Sequence, residues 1–84
     1  MSNTGVFYLR SVNAEFAENG DVRALHQVTV QCAACSSESI LGADHGLVDI
    51  GGAGVLTCPA CGSRQAISRL RFEEFIRRFP DGLV

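Results

Sequence analysis

All four cysteines of this 84-residue chain occur in two Cys-x-x-Cys pairs. The first pair is Cys32 and Cys35, and the second is Cys58 and Cys61, with residues 36–57 between them. Four thiolates from two tight turns can surround one tetrahedral metal ion, and this spacing is typical of structural zinc sites. We therefore expect one zinc ion (Zn²⁺) per chain, bound by all four cysteines.

The length of the chain fits one small domain spanning residues 1–84, a size at which a metal ion or disulfide bonds often supplement a limited core. Disulfide bonds are the alternative use of the cysteines, and they would require an oxidising compartment. The first residues lack the basic segment and apolar run of a secretory signal, and no stretch reaches the length of a membrane span. The sequence therefore favours a cytoplasmic, metal-bound protein without a membrane segment.

The two cysteine pairs differ in the residues that shape their turns. In the second pair Pro59 restricts φ to about −65°, and Gly62 follows the last cysteine, where a positive φ is common. Ala33 and Ser36 occupy the matching positions of the first pair. We expect the second half of the site to be better pre-organised, and the first half to be more strained and to lose metal more easily.

With its four cysteines and the Cys-Pro-x-Cys-Gly motif at Cys58–Gly62, the segment 28–68 resembles the zinc ribbon superfamily. The resemblance implies a β-ribbon that binds metal. It does not imply one function, because this fold occurs in transcription factors, polymerase subunits, ribosomal proteins and enzyme appendages. Rubredoxins share the second motif and hold iron, which gives an iron electron carrier as a third hypothesis. Against it, the chain has no Trp and lacks a glycine–aromatic step after Cys35.

An N-terminal hairpin is predicted over about residues 6–32. Asn19-Gly20 is the strongest turn signal, because both residues tolerate the positive φ of a two-residue type I′ turn. The stretch 13–18 also suits a short helical turn. The hairpin register places apolar residues on one face and leads one strand into the first cysteine pair. It pairs Phe7 with Cys32, Leu9 with Val30, and Ser11 with Val28.

Five of the nine glycines lie between the cysteine pairs. We expect a flexible loop there, followed by a strand at Val55–Thr57. The glycines do not predict a phosphate site, because no Lys-Ser/Thr follows them. Asp44-His45 is the only plausible catalytic pair in this loop, and we expect it to form a solvated turn instead.

A C-terminal amphipathic helix is predicted over about residues 68–79. Phe72, Phe75, Ile76 and Phe79 recur with helical spacing, whereas Glu73 and Glu74 precede Arg77 and Arg78 by four residues on the outer face. The apolar side either packs on the hairpin or forms a docking face for a partner. The predicted fold is small α+β and mainly β, with a zinc-ribbon hairpin, a three- to four-stranded antiparallel sheet and this helix.

Function depends on weaker signals. The formal net charge is −2, and a zinc ion with four thiolates brings it to about −4, which disfavours nucleic-acid binding. A cluster of arginines at Arg64, Arg69 and Arg71 keeps a nucleic-acid-binding ribbon as the alternative function. The main hypothesis is an adaptor or regulator that binds an unidentified protein through these arginines and through Phe72, Phe75 and Phe79. No catalysis is expected, since four thiolates leave no open coordination position.

Overall fold

The computed structural model of the chain describes residues 2–81 and is composed mainly of β-strands, with one C-terminal helix. The elements are β1 (Ser2–Asn3), β2 (Phe7–Phe16), β3 (Val22–Cys32), β4 (Glu38–Gly42), β5 (Leu47–Ile50), β6 (Ala53–Thr57), β7 (Arg64–Ile67) and α1 (Arg69–Arg78). This confirms a small, mainly β α+β fold. The strands form two antiparallel sheets instead of one: an N-terminal sheet in the order β1-β2-β3-β4 and a C-terminal sheet in the order β5-β6-β7.

One apolar core lies between the two sheets and the helix. Its members alternate along the strands, as expected for sheets with one buried face. The buried apolar residues are Phe7, Leu9, Val12, Val22, Leu25, Val28, Val30, Cys32, Leu41, Leu47, Leu56, Cys58, Ile67, Phe72 and Phe75. Because Cys32 and Cys58 belong to this core, the packing of both sheets orients the cysteine pairs.

The register of the β2–β3 hairpin is as predicted only near the cysteines. Phe7 pairs with Cys32 and Leu9 with Val30, but the register then shifts, so that Ser11 lies opposite Thr29. The predicted pairing of Ser11 with Val28 is therefore wrong. A bulge adds one residue to β2 after Leu9. The β2 residues that follow, up to the next shift, therefore pair with β3 residues one position later in the sequence than predicted.

The turn of this hairpin is also longer than predicted. Residues 17–21 form the loop, and the Asn19 carboxamide oxygen accepts a hydrogen bond from the Asp21 N–H at 3.1 Å. Gly20 has a φ of 90°, but among the described non-glycine residues only Ser36 has a positive φ. A type I′ turn needs positive φ at both central residues. Asn19 instead caps the loop with its side chain, which is a common use of Asn in turns.

The glycine-rich segment is more ordered than the predicted flexible loop. It contains the end of β4, all of β5 and the start of β6, and Ile50 pairs with Ala53 around the two-residue turn Gly51-Gly52. The φ angles of these glycines are 60° and 97°, the signs that a type I′ turn requires. The turn predicted for Asn19-Gly20 thus occurs here.

The C-terminal helix is confirmed and packs on β2, β3 and β6. It begins after Ser68, whose side-chain oxygen accepts a hydrogen bond from the Arg71 N–H at 3.3 Å, and it ends one residue before Phe79. Phe72 and Phe75 are buried on its inner face. Glu73 does not lie on the outer face as predicted. Its carboxylate accepts a hydrogen bond from the Val22 N–H and forms an ion pair with Arg69 at 3.4 Å.

Two carboxylates join the rest of the molecule to the first half of β3, where β4 does not reach. Glu73 accepts a hydrogen bond from the Val22 N–H at 2.9 Å. Asp49 accepts hydrogen bonds from the N–H groups of Leu25 and Gly52, both at 3.1 Å. β4 pairs with β3 only at residues 27–31, so these side chains satisfy N–H groups that lack a strand neighbour.

Candidate metal centre

Each cysteine pair forms the turn of a hairpin. The first knuckle (residues 32–37) joins β3 to β4, and the second knuckle (residues 58–63) joins β6 to β7. The two hairpins correspond with an offset of 26 residues, since Gln31 pairs with Glu38 in one and Thr57 pairs with Arg64 in the other. The molecule therefore presents two equivalent hairpin ends to one site.

The same backbone hydrogen bonds close both knuckles. In the first, the Cys32 N–H donates to the Ser37 carbonyl at 2.9 Å, and the Ser36 N–H donates to the Cys32 carbonyl at 2.8 Å. In the second, the Cys58 N–H donates to the Ser63 carbonyl at 2.7 Å, and the Gly62 N–H donates to the Cys58 carbonyl at 2.8 Å. These bonds hold both sulfurs of a pair on the same side of the turn.

The knuckles differ in the backbone conformation that this geometry requires. Gly62 has a φ of 81°, and Ser36 at the matching position has a φ of 62°. Glycine takes this conformation without steric cost, whereas any residue with a Cβ atom is strained by about 1–2 kcal/mol. The strain expected in the first knuckle from the Ser36 substitution is thus present in its backbone.

The four sulfurs converge. The Sγ atoms of all four cysteines lie within 4.8 Å of one another. Cys32 Sγ lies 3.6 Å from Cys61 Sγ, and Cys35 Sγ lies 3.6 Å from Cys58 Sγ, so the close contacts join one knuckle to the other. A tetrahedral site with metal–sulfur bonds of about 2.3 Å has sulfur–sulfur edges of about 3.8 Å. The structure thus brings together the four predicted ligands with the dimensions of a Cys₄ metal site.

Burial alternates within each pair. Cys32 and Cys58 are 1% and 2% exposed, whereas Cys35 and Cys61 lie at the surface. The first cysteine of each pair thus connects the site to the core. The second closes the site on the solvent side.

Two serines that the sequence analysis did not single out contact the exposed sulfurs. The Ser63 hydroxyl lies 3.1 Å from Cys61 Sγ, and this hydroxyl, with the Ser63 N–H, lowers the pKa of Cys61 to about 6. The Ser37 hydroxyl and N–H likewise lower the pKa of Cys35. Both serines stand two positions after the last cysteine of their pair, so aligning the two motifs would have revealed them. Hydrogen bonds to sulfur favour the thiolate, which is the form that binds metal.

The buried cysteine of the second knuckle behaves differently. The Cys61 N–H contacts the Cys58 sulfur and favours its thiolate, yet burial and the neighbouring thiols of Cys35 and Cys61 raise the pKa of Cys58. Desolvation penalises a thiolate without a counter-charge. A divalent cation at the centre supplies that counter-charge, so the buried sulfur favours a bound metal ion.

The three predicted arginines lie in two elements of the chain. Arg64 lies in β7, and Arg69 and Arg71 lie two positions apart at the start of the helix. Residues with this spacing point to different sides of a helix. Arg69 pairs with Glu73, and all three arginines are exposed.

The three phenylalanines lie in or against the core. Phe72 and Phe75 are 0% and 1% exposed, so both side chains pack in the core and neither is available at the surface. Phe79 is partly buried, and its ring centroid lies 5.1 Å from that of Phe75. Among the other apolar residues of this segment, Leu70 is 67% exposed, and Ile76 and Phe79 are partly buried.

No protein-family model, no curated protein and no solved structure matches this chain. Among residues 2–81, the helical segment is too short to cross a membrane. The functional conclusions therefore depend on the geometry of the chain itself.

Proposed function

We propose that the chain is a small zinc-stabilised interaction module that binds another protein and performs no catalysis. The observation that carries this proposal is the cross-knuckle cluster of four sulfurs. Four thiolates complete the tetrahedral coordination of zinc, so the ion has a structural role and no free position for a substrate. The hairpin knuckles, together with the Cys-Pro-x-Cys-Gly motif, support the resemblance to zinc ribbons.

Exposed apolar side chains support a protein partner. Val48 and Ile50 are 57% and 61% exposed on the outer face of the C-terminal sheet. Val48 pairs with Val55, which pairs with Ala66, so an apolar row crosses this sheet. Exposed apolar clusters on a small protein are typical of interaction sites. The negative net charge favours a protein over nucleic acid.

The zinc assignment is tested by metal analysis of protein purified without added metal. We expect one zinc ion per chain, and loss of zinc together with the folded state in Cys32→Ser and Cys58→Ser. We expect Cys58→Ser to be at least as damaging, because its knuckle is unstrained. Iron as the bound metal, or two disulfide bonds without metal, would contradict the assignment.

The partner class is tested by capture from a lysate of the native host, with and without nuclease, followed by a salt titration. A protein partner held by apolar contacts should survive nuclease and lose little affinity with salt. Contacts of about three arginines with phosphates would give a log–log salt slope of about −2 to −3. The variant with Arg64, Arg69 and Arg71 all changed to Gln should keep the partner. Loss of a salt-sensitive nucleic-acid complex in this variant would refute the proposal.

A further inference from the structure

β2 has an open edge. Among the described residues, β1 pairs with β2 through Ser2 with Leu9 and Asn3 with Tyr8. Within residues 2–81, β2 from Ser11 to Phe16 has no neighbouring strand on that side. An edge strand of this kind presents N–H and C=O groups that can pair with another extended chain.

A surface groove follows this edge. It has a volume of about 400 Å³, and it lies between β2 and the end of the helix. Its apolar lining includes Val12, Ala14, Phe16 and Ile76. Phe16 is 47% exposed, so much of its ring is accessible to a ligand in the groove. The groove therefore places apolar side-chain sites directly beside an unpaired backbone.

We propose that the open β2 edge, with Ile76 and Asp81 (the β2 groove), binds a short extended peptide segment of a partner protein as an added strand. The segment has apolar side chains at alternate positions, which enter the groove toward Phe16 and Ile76. It also carries a Lys or Arg that faces Asp81. This inference rests on the proposed function, since it names the kind of partner that the module takes.

The backbone of β2 determines the length of the segment. The pairing of β2 with β3 shifts between Leu9 and Ser11, between Asn13 and Ala14, and between Glu15 and Phe16. Such irregularities twist an edge and oppose long, unspecific pairing. The regular stretch between the first two shifts can add a few residues of a partner strand. Main-chain bonds then provide affinity, and the alternating side chains provide specificity.

Charge distinguishes a basic peptide from a second copy of the chain. Counted over the described residues, Asp81 is the one ionisable side chain that lines the groove. The chain has a net charge of −2, so a second copy would bring a second Asp81 and further negative charge to the contact. A basic residue on a peptide complements this surface instead.

The test uses a phage-displayed library of random dodecapeptides, selected on the zinc-loaded protein. We expect a consensus of alternating apolar residues with one Lys or Arg. A synthetic consensus peptide should slow the hydrogen exchange of those amides of Ser11–Phe16 that point to the open edge. Methylation of its alternate backbone nitrogens should abolish binding, because it removes the donors that pair with β2.

Matched variants locate the binding surface. Phe16→Ser should weaken the consensus peptide by about tenfold, whereas Ile40→Ser, at an exposed apolar position of β4 on the far edge of the same sheet, should leave binding unchanged. Asp81→Asn should weaken binding about two- to fivefold. Equal melting temperatures of the two serine variants would exclude a folding defect.

Three results would overturn the inference. The first is a selection that gives no consensus, and the second is a consensus peptide whose affinity is unchanged by Phe16→Ser. The third is protection of the β2 amides that rises with protein concentration in the absence of peptide, which would identify a second copy as the occupant. Capture of one host protein equally by the wild type and by Phe16→Ser would refute the groove and leave the proposed function standing. Failure to capture any host protein while the consensus peptide binds would refute only the proposed function.

Discussion

Ser36→Gly should stabilise the protein, although it removes a side chain. Ser36 has a φ of 62°, and the equivalent position of the second knuckle is the glycine Gly62. The left-handed conformation costs a residue with a Cβ atom about 1–2 kcal/mol. Glycine removes that cost but gives the unfolded chain more freedom, which offsets about 0.4–1 kcal/mol. From the middle of the first range, about 1.5 kcal/mol, the net gain in the free energy of unfolding is about 0.5–1 kcal/mol.

For a domain of this size that gain corresponds to a rise of about 2–8 °C in melting temperature. The measurement is thermal unfolding of the metal-loaded protein, followed by circular dichroism. Zinc release to a colorimetric chelator provides a second readout, and it should become slower in Ser36→Gly. Both effects have the same origin, since the substitution relaxes the turn that positions two ligands.

Two control variants test whether the strain lies at Ser36. Gly62→Ser places the strain in the second knuckle and should lower the melting temperature by a similar amount. Ala34→Gly adds a glycine to the first knuckle at a residue without positive φ, so it should destabilise the protein slightly. If Ser36→Gly melted at or below the temperature of Ala34→Gly, the assignment of strain to Ser36 would be wrong.

Three further predictions concern the fold. Gly52→Ala should cost about 2–4 kcal/mol in urea unfolding, because a Cβ there meets the Val22 carbonyl oxygen in addition to the positive φ. Gly51→Ala faces open space and should cost only about 1–2 kcal/mol, and equal costs would contradict this packing. Glu73→Ala should cost about 1–3 kcal/mol by leaving the Val22 N–H unpaired, whereas the exposed Glu74→Ala should change stability by less than about 0.5 kcal/mol. Excess chelator should abolish the cooperative thermal transition, since structural zinc contributes about 10–16 kcal/mol; an unchanged transition would show that the metal is dispensable.

The features that the sequence predicts well are local. The four ligands are separated within each pair by two residues, and their type and spacing leave few chemical alternatives. The helix is similarly predictable, because the apolar period of Phe72, Phe75 and Ile76 lies within a short segment. Near the cysteines, the alternation of apolar residues also determines which strand positions pair.

The errors arise where two local signals compete. Asn19-Gly20 and Gly51-Gly52 lie in different hairpins, and both sequences suit a type I′ turn. Of the two, Gly51-Gly52 has positive φ at both residues, and this turn docks against Val22. The carboxamide of Asn19 has another use, which is to accept a hydrogen bond from its own loop. Sequence preference alone does not rank these two outcomes, since the decisive contact is tertiary.

The polar contacts between residues far apart in the sequence could not be predicted. Glu73 reaches a strand residue 51 positions before it, and Gln65 contacts Thr4 at a separation of 61 positions. The Gln65 carboxamide also accepts a hydrogen bond from the Val6 N–H at 3.1 Å, so it fixes the N-terminal turn beside the second hairpin. From the sequence alone, each of these polar side chains could equally well be exposed to solvent.

The paired hairpins have a consequence for the order in which a metal ion is captured during folding. Each knuckle places two sulfurs close together through contacts within a few residues, and such turns form within microseconds. Joining the knuckles requires closure of the segment 36–57, which costs chain entropy. The glycine-containing knuckle forms without backbone strain, so we expect it to take up the ion first as a two-sulfur complex. The strained knuckle would then supply the last two sulfurs, and the two sheets would assemble around a site whose first half had already formed.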